Sequence, residues 1–277
     1  MEGGPLSAEK PFHPFPLLEF QGVPLRSYIV DNWSSISAFC PDPSDLLIAT
    51  YPKAGTTWAQ EMVDLLLHSR DMDICKRAPT NKRMPFLEIQ PYPDLPSAVF
   101  VSSFGFVIYV ARNAKDNVVS YYHFERMNRY QPEPGPWEEY IHKFMKGNLG
   151  WGSWYDHVKG YWKQREKQNI LYLFFEDMKE DPRREVVRIM HYLDLSLADD
   201  VIDKIVQLTS FKVMKDNPMA NYTFIPQAIL DQTISPFMRK GEVGDWSNYF
   251  TAAQSQTFDE DYTKQMADVD IPFQSSL

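Results

Sequence analysis

Three short apolar runs constrain this chain most: "DLLIAT" (45–50), "FVIYVA" (106–111) and "ILYLFF" (170–175). They are dominated by aliphatic and aromatic residues and lack polar alternation, as strands covered on both faces do. Around them lie segments with apolar residues at helical spacing. In "TTWAQEMVDLLLH" (56–68), Trp58, Met62, Leu65 and Leu66 fall at i, i+4, i+7 and i+8. "AKDNVVSYYHFERM" (114–127), "PRREVVRIMHYL" (182–193), "DDVIDKIVQL" (199–208) and "QSQTFDEDYTKQM" (254–266) read the same way. Alternating strands and helices predict an α/β fold, with a central, mainly parallel sheet flanked by helices in a single domain over 1–277. Residues 1–27 are proline-rich and are expected to form an irregular arm.

Charge narrows the function. The net charge is −9 and the pI about 5.2. Nucleic-acid binding needs clustered cations, so no nucleic-acid partner is expected. Any anion must be held by a local cluster. Cys40 and Cys75 stand alone, with no zinc spacing and no disulfide framework. The N-terminal residues lack the charge and apolar pattern of a signal peptide, and no run of about 18 apolar residues occurs. A cytoplasmic protein without a membrane partner is expected. Asn32-Trp33-Ser34 and Asn221-Tyr222-Thr223 match the glycosylation pattern, but without secretion they read as chance matches.

"LLIATYPKAGTTWAQEM" (46–62) reads as strand, tight turn and helix start. Pro52 and Gly55 shape the turn, and Thr56 and Thr57 begin the helix. Free backbone N–H groups and the helix dipole favour an anion there, and Lys53 adds a full charge. The same stretch also fits a plain strand–turn–helix with a threonine cap and a solvated lysine. It is P-loop-like but not the Walker pattern, because the lysine precedes the glycine. The nearest candidate for a magnesium aspartate is Asp177, so a metal-free anion site is expected. Arg112 and Lys115 follow the second run, and Arg239, Lys240 and Gly241 lie in a predicted loop. Ligands of doubly wound sheets bind at the C-terminal ends of the strands. Two cationic clusters there suit two phosphate groups.

"YPKAGTTW", "YVARNAKDNVVSYYHF", "WGSWYDHVKGYW", "LTSFKVMKDNPMANYT" and "SPFMRKGEVGDW" together resemble the cytosolic sulfotransferases, in order and over nearly the whole chain, most closely the phenol-type branch. The resemblance implies transfer of a sulfuryl group from 3′-phosphoadenosine 5′-phosphosulfate to a small phenol or alcohol. It implies that Lys53, Ala54, Gly55, Thr56, Thr57 and Trp58 cradle the 5′-phosphosulfate, with Lys53 neutralising charge on the leaving oxygen. It assigns the 3′-phosphate to Arg112 and Ser120, joined by Arg239, Lys240 and Gly241 of the late loop, and places Phe237 and Met238 of that loop on the cofactor as well. Trp58 and Phe211 would sandwich the adenine, near Thr209, Ser210 and Met214. Phe175 stands where the family usually has a tyrosine. Phe86, Phe124 and Tyr222 would line the acceptor pocket.

The chain departs from the family between the phosphate loop and Arg112. The Lys-Thr-His-Leu segment, whose histidine is the family's general base, has no counterpart here. A deletion near 95–106 is expected, leaving a sheet position empty or remodelled. "AVFV" (98–101) cannot be a parallel neighbour of the next strand, since only "SSFG" separates them. His123, beside Phe124, is the one substitute base that suggests itself; packing is its default role. Activity is expected to be impaired. The alternative is a non-catalytic binder of the nucleotide or of hydrophobic phenols. A P-loop kinase or triphosphatase is disfavoured by the order of the basic motifs. The family's dimer motif corresponds to Ser247–Gln256 and keeps only Thr251 of its marked positions, so a monomer or weak dimer is expected.

Overall fold

A computed structural model describes residues 14–88 and 104–275. The first described element is a hairpin within the expected irregular arm, of which residues 1–13 lie outside the described residues. β1 (Leu17–Phe20) and β2 (Val23–Arg26) pair antiparallel, with Leu18 opposite Leu25. Gln21 and Gly22 between them have φ of 51° and 81°, the left-handed pair that a two-residue hairpin loop requires. Proline density hides this turn in the sequence, and Pro24 is tolerated because a two-stranded ribbon is all edge. Leu25 then packs with Ile29 of α1 (Ser27–Asp31) and Ile36 of α2 (Trp33–Ser37).

The three apolar runs form the central sheet: β3 (Leu46–Thr50), β4 (Phe106–Ala111) and β5 (Ile170–Phe174). The order is β3-β4-β5 and both pairings are parallel, with Ile48 beside Ile108 and Ile108 beside Leu171. The helices that follow are α3 (Thr56–Leu67), α4 (Thr80–Arg83), α5 (Ala114–Met127), α6 (Trp137–Met145) and α7 (Trp154–Gln164). After β5 come α8 (Phe175–Glu180), α9 (Pro182–Tyr192), α10 (Asp199–Leu208), α11 (Phe211–Asp216) and α12 (Ala252–Gln265).

Side chains alternate across the sheet, so each strand feeds two cores. Val107, Tyr109, Ile170 and Tyr172 pack with α5, α6, α7 and α12. Ile108, Val110 and Leu173 pack with α3, α9 and α10. Helices on both faces explain why the runs carry no polar alternation. Burying each large aliphatic side chain here contributes roughly 1.5–3 kcal/mol.

β4 is buried from Val107 to Ala111, whereas all five residues of β3 are only half-buried. Among the described residues, no strand pairs with the other edge of β3. "AVFV" (98–101) lies outside the described residues.

Candidate active site

A cavity of about 1350 Å³ opens where β3, β4 and β5 end and continues along β3. That exceeds the ~300–1,000 Å³ usual for small-ligand sites. Its wall is assembled from distant parts of the chain.

The loop after β3 supplies the floor. Tyr51 is fully buried, and Ala54 N donates to Tyr51 O at 3.1 Å. Lys53 has φ 68° and Gly55 φ 119°. Lys53 therefore holds a left-handed conformation that costs a non-glycine residue roughly 1–2 kcal/mol. Gly55 caps α3, so the cap is not a threonine side chain. A Cβ at Gly55 would lie 3.1 Å from the Phe175 ring. Thr56 Oγ1 lies 2.6 Å from Thr50 Oγ1, tying the helix start to the strand.

Lys53, Arg112, Arg239 and Lys240 all line this cavity. Arg112 donates to Lys53 O (3.4 Å) and Glu242 O (3.0 Å), and its guanidinium lies 4.2 Å over the Phe175 ring. Arg239 pairs with Asp245 at 2.7 Å and Lys240 with the same carboxylate at 2.5 Å. Burial opposes the Asp245 charge, but hydrogen bonds from Lys240, Asn248 and Arg239 hold its pKa at about 2. The Nε atoms of Arg112 and Arg239 are buried without a hydrogen-bond partner among the described residues. Burial, and then the Arg112 and Arg239 charges, push the Lys53 pKa down to about 7. Concentrated positive charge with orphaned donors suits a multiply charged anion.

Gly55, Thr56, Thr57, Trp58, Ser120, Phe175, Thr209, Phe211, Met214, Met238 and Gly241 also border the cavity. Trp58 packs edge-on to Phe175, with centroids 5.5 Å apart. Gly241 has φ 65°, and a Cβ there would fall 2.8 Å from Phe211 Cε2. Ala54 is buried beneath the loop, and Ser210 stands at the N-cap of α11; neither borders the cavity among the described residues.

Phe86, Phe124 and Tyr222 line the cavity as well. Phe237, expected on the cofactor side, sits among them: its ring is 4.2 Å from Tyr222 and 6.2 Å from Phe124. Lys53 Nζ lies 3.6 Å from the Phe237 centroid and 4.9 Å from that of Phe124. The lysine therefore joins the cationic and aromatic halves.

Sequence reading missed the polar frame behind these groups. Asp116 accepts from Gly244 N (2.7 Å), Trp246 N (2.9 Å) and Asn113 Nδ2 (2.8 Å), which anchors the late loop to α5. Glu176 accepts from Asn113 N and Nδ2, both at 2.9 Å, and burial raises its pKa to about 7. Asn117 Nδ2 donates to Pro52 O at 2.7 Å and supports the loop after β3. The Asn113-x-x-Asp116 spacing is a helix-cap signal that marks part of this frame. Lys115 pairs with Asp259 at 2.7 Å and belongs to that scaffold. Asp177 accepts from Gln274 at 3.0 Å, and among the described residues no group of three or more His, Cys, Asp or Glu is placed to hold a metal ion. His123 is packed between Tyr122 and Tyr249. His157, which the sequence alone does not single out, is in the cavity wall.

The sulfotransferase domain model matches residues 43–270. Rabbit (Oryctolagus cuniculus) sulfotransferase 1C2 is 48% identical over 280 positions, covering 93% of this chain and 95% of the relative. Those positions outnumber the residues of this chain that they cover, so part of the relative has no counterpart here. Human sulfotransferase 1C2 is 47% identical, covering 93% and 95% of the two chains, and mouse sulfotransferase 1A1 is 44% identical, covering 95% and 98%. Among solved structures, a mouse sulfotransferase, SULT7A1, complexed with PAP superposes with a TM-score of 0.71 at 28% identity, covering 92% of this chain and 96% of that one. A retinol dehydratase superposes with a TM-score of 0.82 at 20% identity, covering 91% and 89%, and shows the same fold. Fold and site together define an α/β transferase of the sulfotransferase class. The chain belongs to the sulfotransferase family, with its phenol-type family 1 members among its relatives.

Proposed function

We propose that this chain transfers a sulfuryl group from 3′-phosphoadenosine 5′-phosphosulfate to a small phenolic or alcoholic hydroxyl, at a reduced rate. The observation that carries this reading is the meeting of Lys53, Arg112, Arg239 and Lys240 in one cavity with the aromatic cluster of Phe124, Tyr222 and Phe237. The donor supplies an activated sulfuryl group. Lys53 and the residues to Trp58 hold its 5′ end, where the turn's N–H groups and the start of α3 face an anion. Arg112, Ser120, Arg239, Lys240 and Gly241 hold the 3′-phosphate, with Met238 at the rim. Trp58 and Phe211 take the two faces of the adenine, flanked by Phe175, Thr209 and Met214. The complex of the mouse relative with PAP supports this assignment.

Catalysis here rests on positioning and on cations matched to spreading negative charge. Lys53 stands between the two halves and is the catalytic cation. Phe86, Phe124 and Tyr222 give the acceptor an apolar seat. Loss of the family histidine costs about 10²- to 10⁴-fold in rate and leaves nucleotide affinity intact. Purified protein with labelled donor and 4-nitrophenol tests this: slow sulfation with normal adenosine 3′,5′-bisphosphate affinity is expected. Turnover at ordinary family rates refutes the deficit, and absence of nucleotide binding refutes the reading itself.

A further inference from the structure

We propose that His157 serves as the general base for the acceptor hydroxyl in this chain. The inference rests on the sulfotransferase reading above and adds a residue to it. His157 lies on α7 and lines the same cavity as Lys53. Among the described residues, it is the one histidine in that wall.

Its ring is held from three directions. Nδ1 lies 2.8 Å from Tyr109 Oη. The Tyr51 ring meets it edge-on at 5.5 Å, and Tyr161 lies at 5.3 Å. Tyr51 is two residues before Lys53, and its own hydroxyl is fixed by donation to Gly152 O at 2.9 Å. The imidazole is thereby tied to the phosphate loop through one buried side chain. His157 is half-buried, and Nε2 has no hydrogen-bond partner among the described residues. In the tautomer that serves catalysis, Nδ1–H donates to Tyr109 Oη and the Nε2 lone pair is free.

Burial lowers the pKa of His157 to about 4, so the ring is neutral at physiological pH. The titratable side chains packed against it from β4, α7 and the loop after β3 are the Tyr109 hydroxyl and the rings of Tyr161 and Tyr51. Burial raises the pKa of all three, so none competes as a base. Glu88 acts electrostatically on Tyr161, and burial raises its own pKa.

The step balances. The acceptor O–H proton passes to Nε2 as the acceptor oxygen bonds to sulfur. The bond between sulfur and the donor's 5′-phosphate oxygen breaks, and its electron pair stays on the phosphate. The imidazolium then releases its proton to solvent. Acidic phenols, already partly ionised, depend on this base least, and weakly acidic ones most.

The test compares wild type, His157→Gln, His157→Ala and Tyr109→Phe across phenols of graded acidity, alongside calorimetric titration with adenosine 3′,5′-bisphosphate. Expected are a 10²-fold or larger loss of kcat/KM in both His157 variants, steepest for the least acidic phenols, with nucleotide affinity unchanged. Added imidazole should restore turnover to His157→Ala. In wild type, the Nε2 resonance of His157 should move when the bisphosphate and a phenol bind together. Equal rates, an equal loss across all phenols without imidazole rescue, or a silent Nε2 resonance overturns the proposal. Wild type that binds nucleotide but sulfates no phenol also overturns it. Failure to bind nucleotide at all refutes the sulfotransferase reading, and the role of His157 falls with it.

Discussion

Binding of a phosphate group to the Lys53 cluster should take up a proton. Burial and the Arg112 and Arg239 charges hold this amine near pKa 7, well below the ordinary lysine value of 10.5. At about pH 8 the free protein therefore carries Lys53 mostly neutral. A phosphate at hydrogen-bond distance favours the charged form and raises the pKa again. Close to one proton is then absorbed per nucleotide bound. Affinity falls by up to about tenfold per pH unit above 7, each unit being worth about 1.36 kcal/mol. The sign follows from the bound state having the higher pKa: binding is strongest at low pH and is lost as pH rises. Isothermal titration with adenosine 3′,5′-bisphosphate in two buffers of different ionisation heat measures the proton directly. Lys53→Met should bind more weakly with no buffer-dependent heat. Buffer-independent heat in wild type would refute the charge accounting at this site. The same depressed pKa makes the unliganded protein gain stability with pH from about 7 upward, because its folded state binds fewer protons than the unfolded chain.

Three further expectations follow from the geometry. Gly241→Ala places a methyl against Phe211 at φ 65°; it should cost roughly 1–2 kcal/mol of stability and, by displacing the ring, weaken nucleotide affinity. Unchanged affinity by titration would separate Phe211 from the adenine site. Asp116→Ala orphans Gly244 N and Trp246 N, while Asn113 Nδ2 keeps its bond to Glu176. At roughly 1–3 kcal/mol per unpaired group, a loss of at least ~2 kcal/mol is expected, visible by calorimetry as a fall in Tm of roughly 4–8 °C. A Tm within 2 °C of wild type would show that the late loop is held by other contacts. Sedimentation at micromolar concentration should give a monomer or weak dimer, since the charged ends of the family's dimer motif are replaced by Ser247 and Gln256; a stable dimer would refute this.

Local structure was legible in the residues. β4 spans the apolar run Phe106–Ala111, and α5 spans Ala114–Met127 as its periodicity predicts. Periodicity is written in neighbours three or four positions apart, so it survives without knowledge of the fold. The phosphate loop was equally visible, because glycine, proline and threonine carry their backbone preferences with them. The hairpin at Gln21-Gly22 was missed because proline density masked a two-residue signal.

What the sequence by itself determined was the three strands of the central sheet, five of the helices that flank it and the cationic residues available to an anion. Only the tertiary structure decided that Lys53, Arg112 and Arg239 share one cavity, and that Phe237 joins the rings of Phe124 and Tyr222. It also set His157, and not His123, in the wall, and left β3 without a described partner on one edge. These are consequences of strand order, register and helix placement over separations of 100 residues or so. No local preference encodes them, because they arise only when the sheet and both helical layers close on one another.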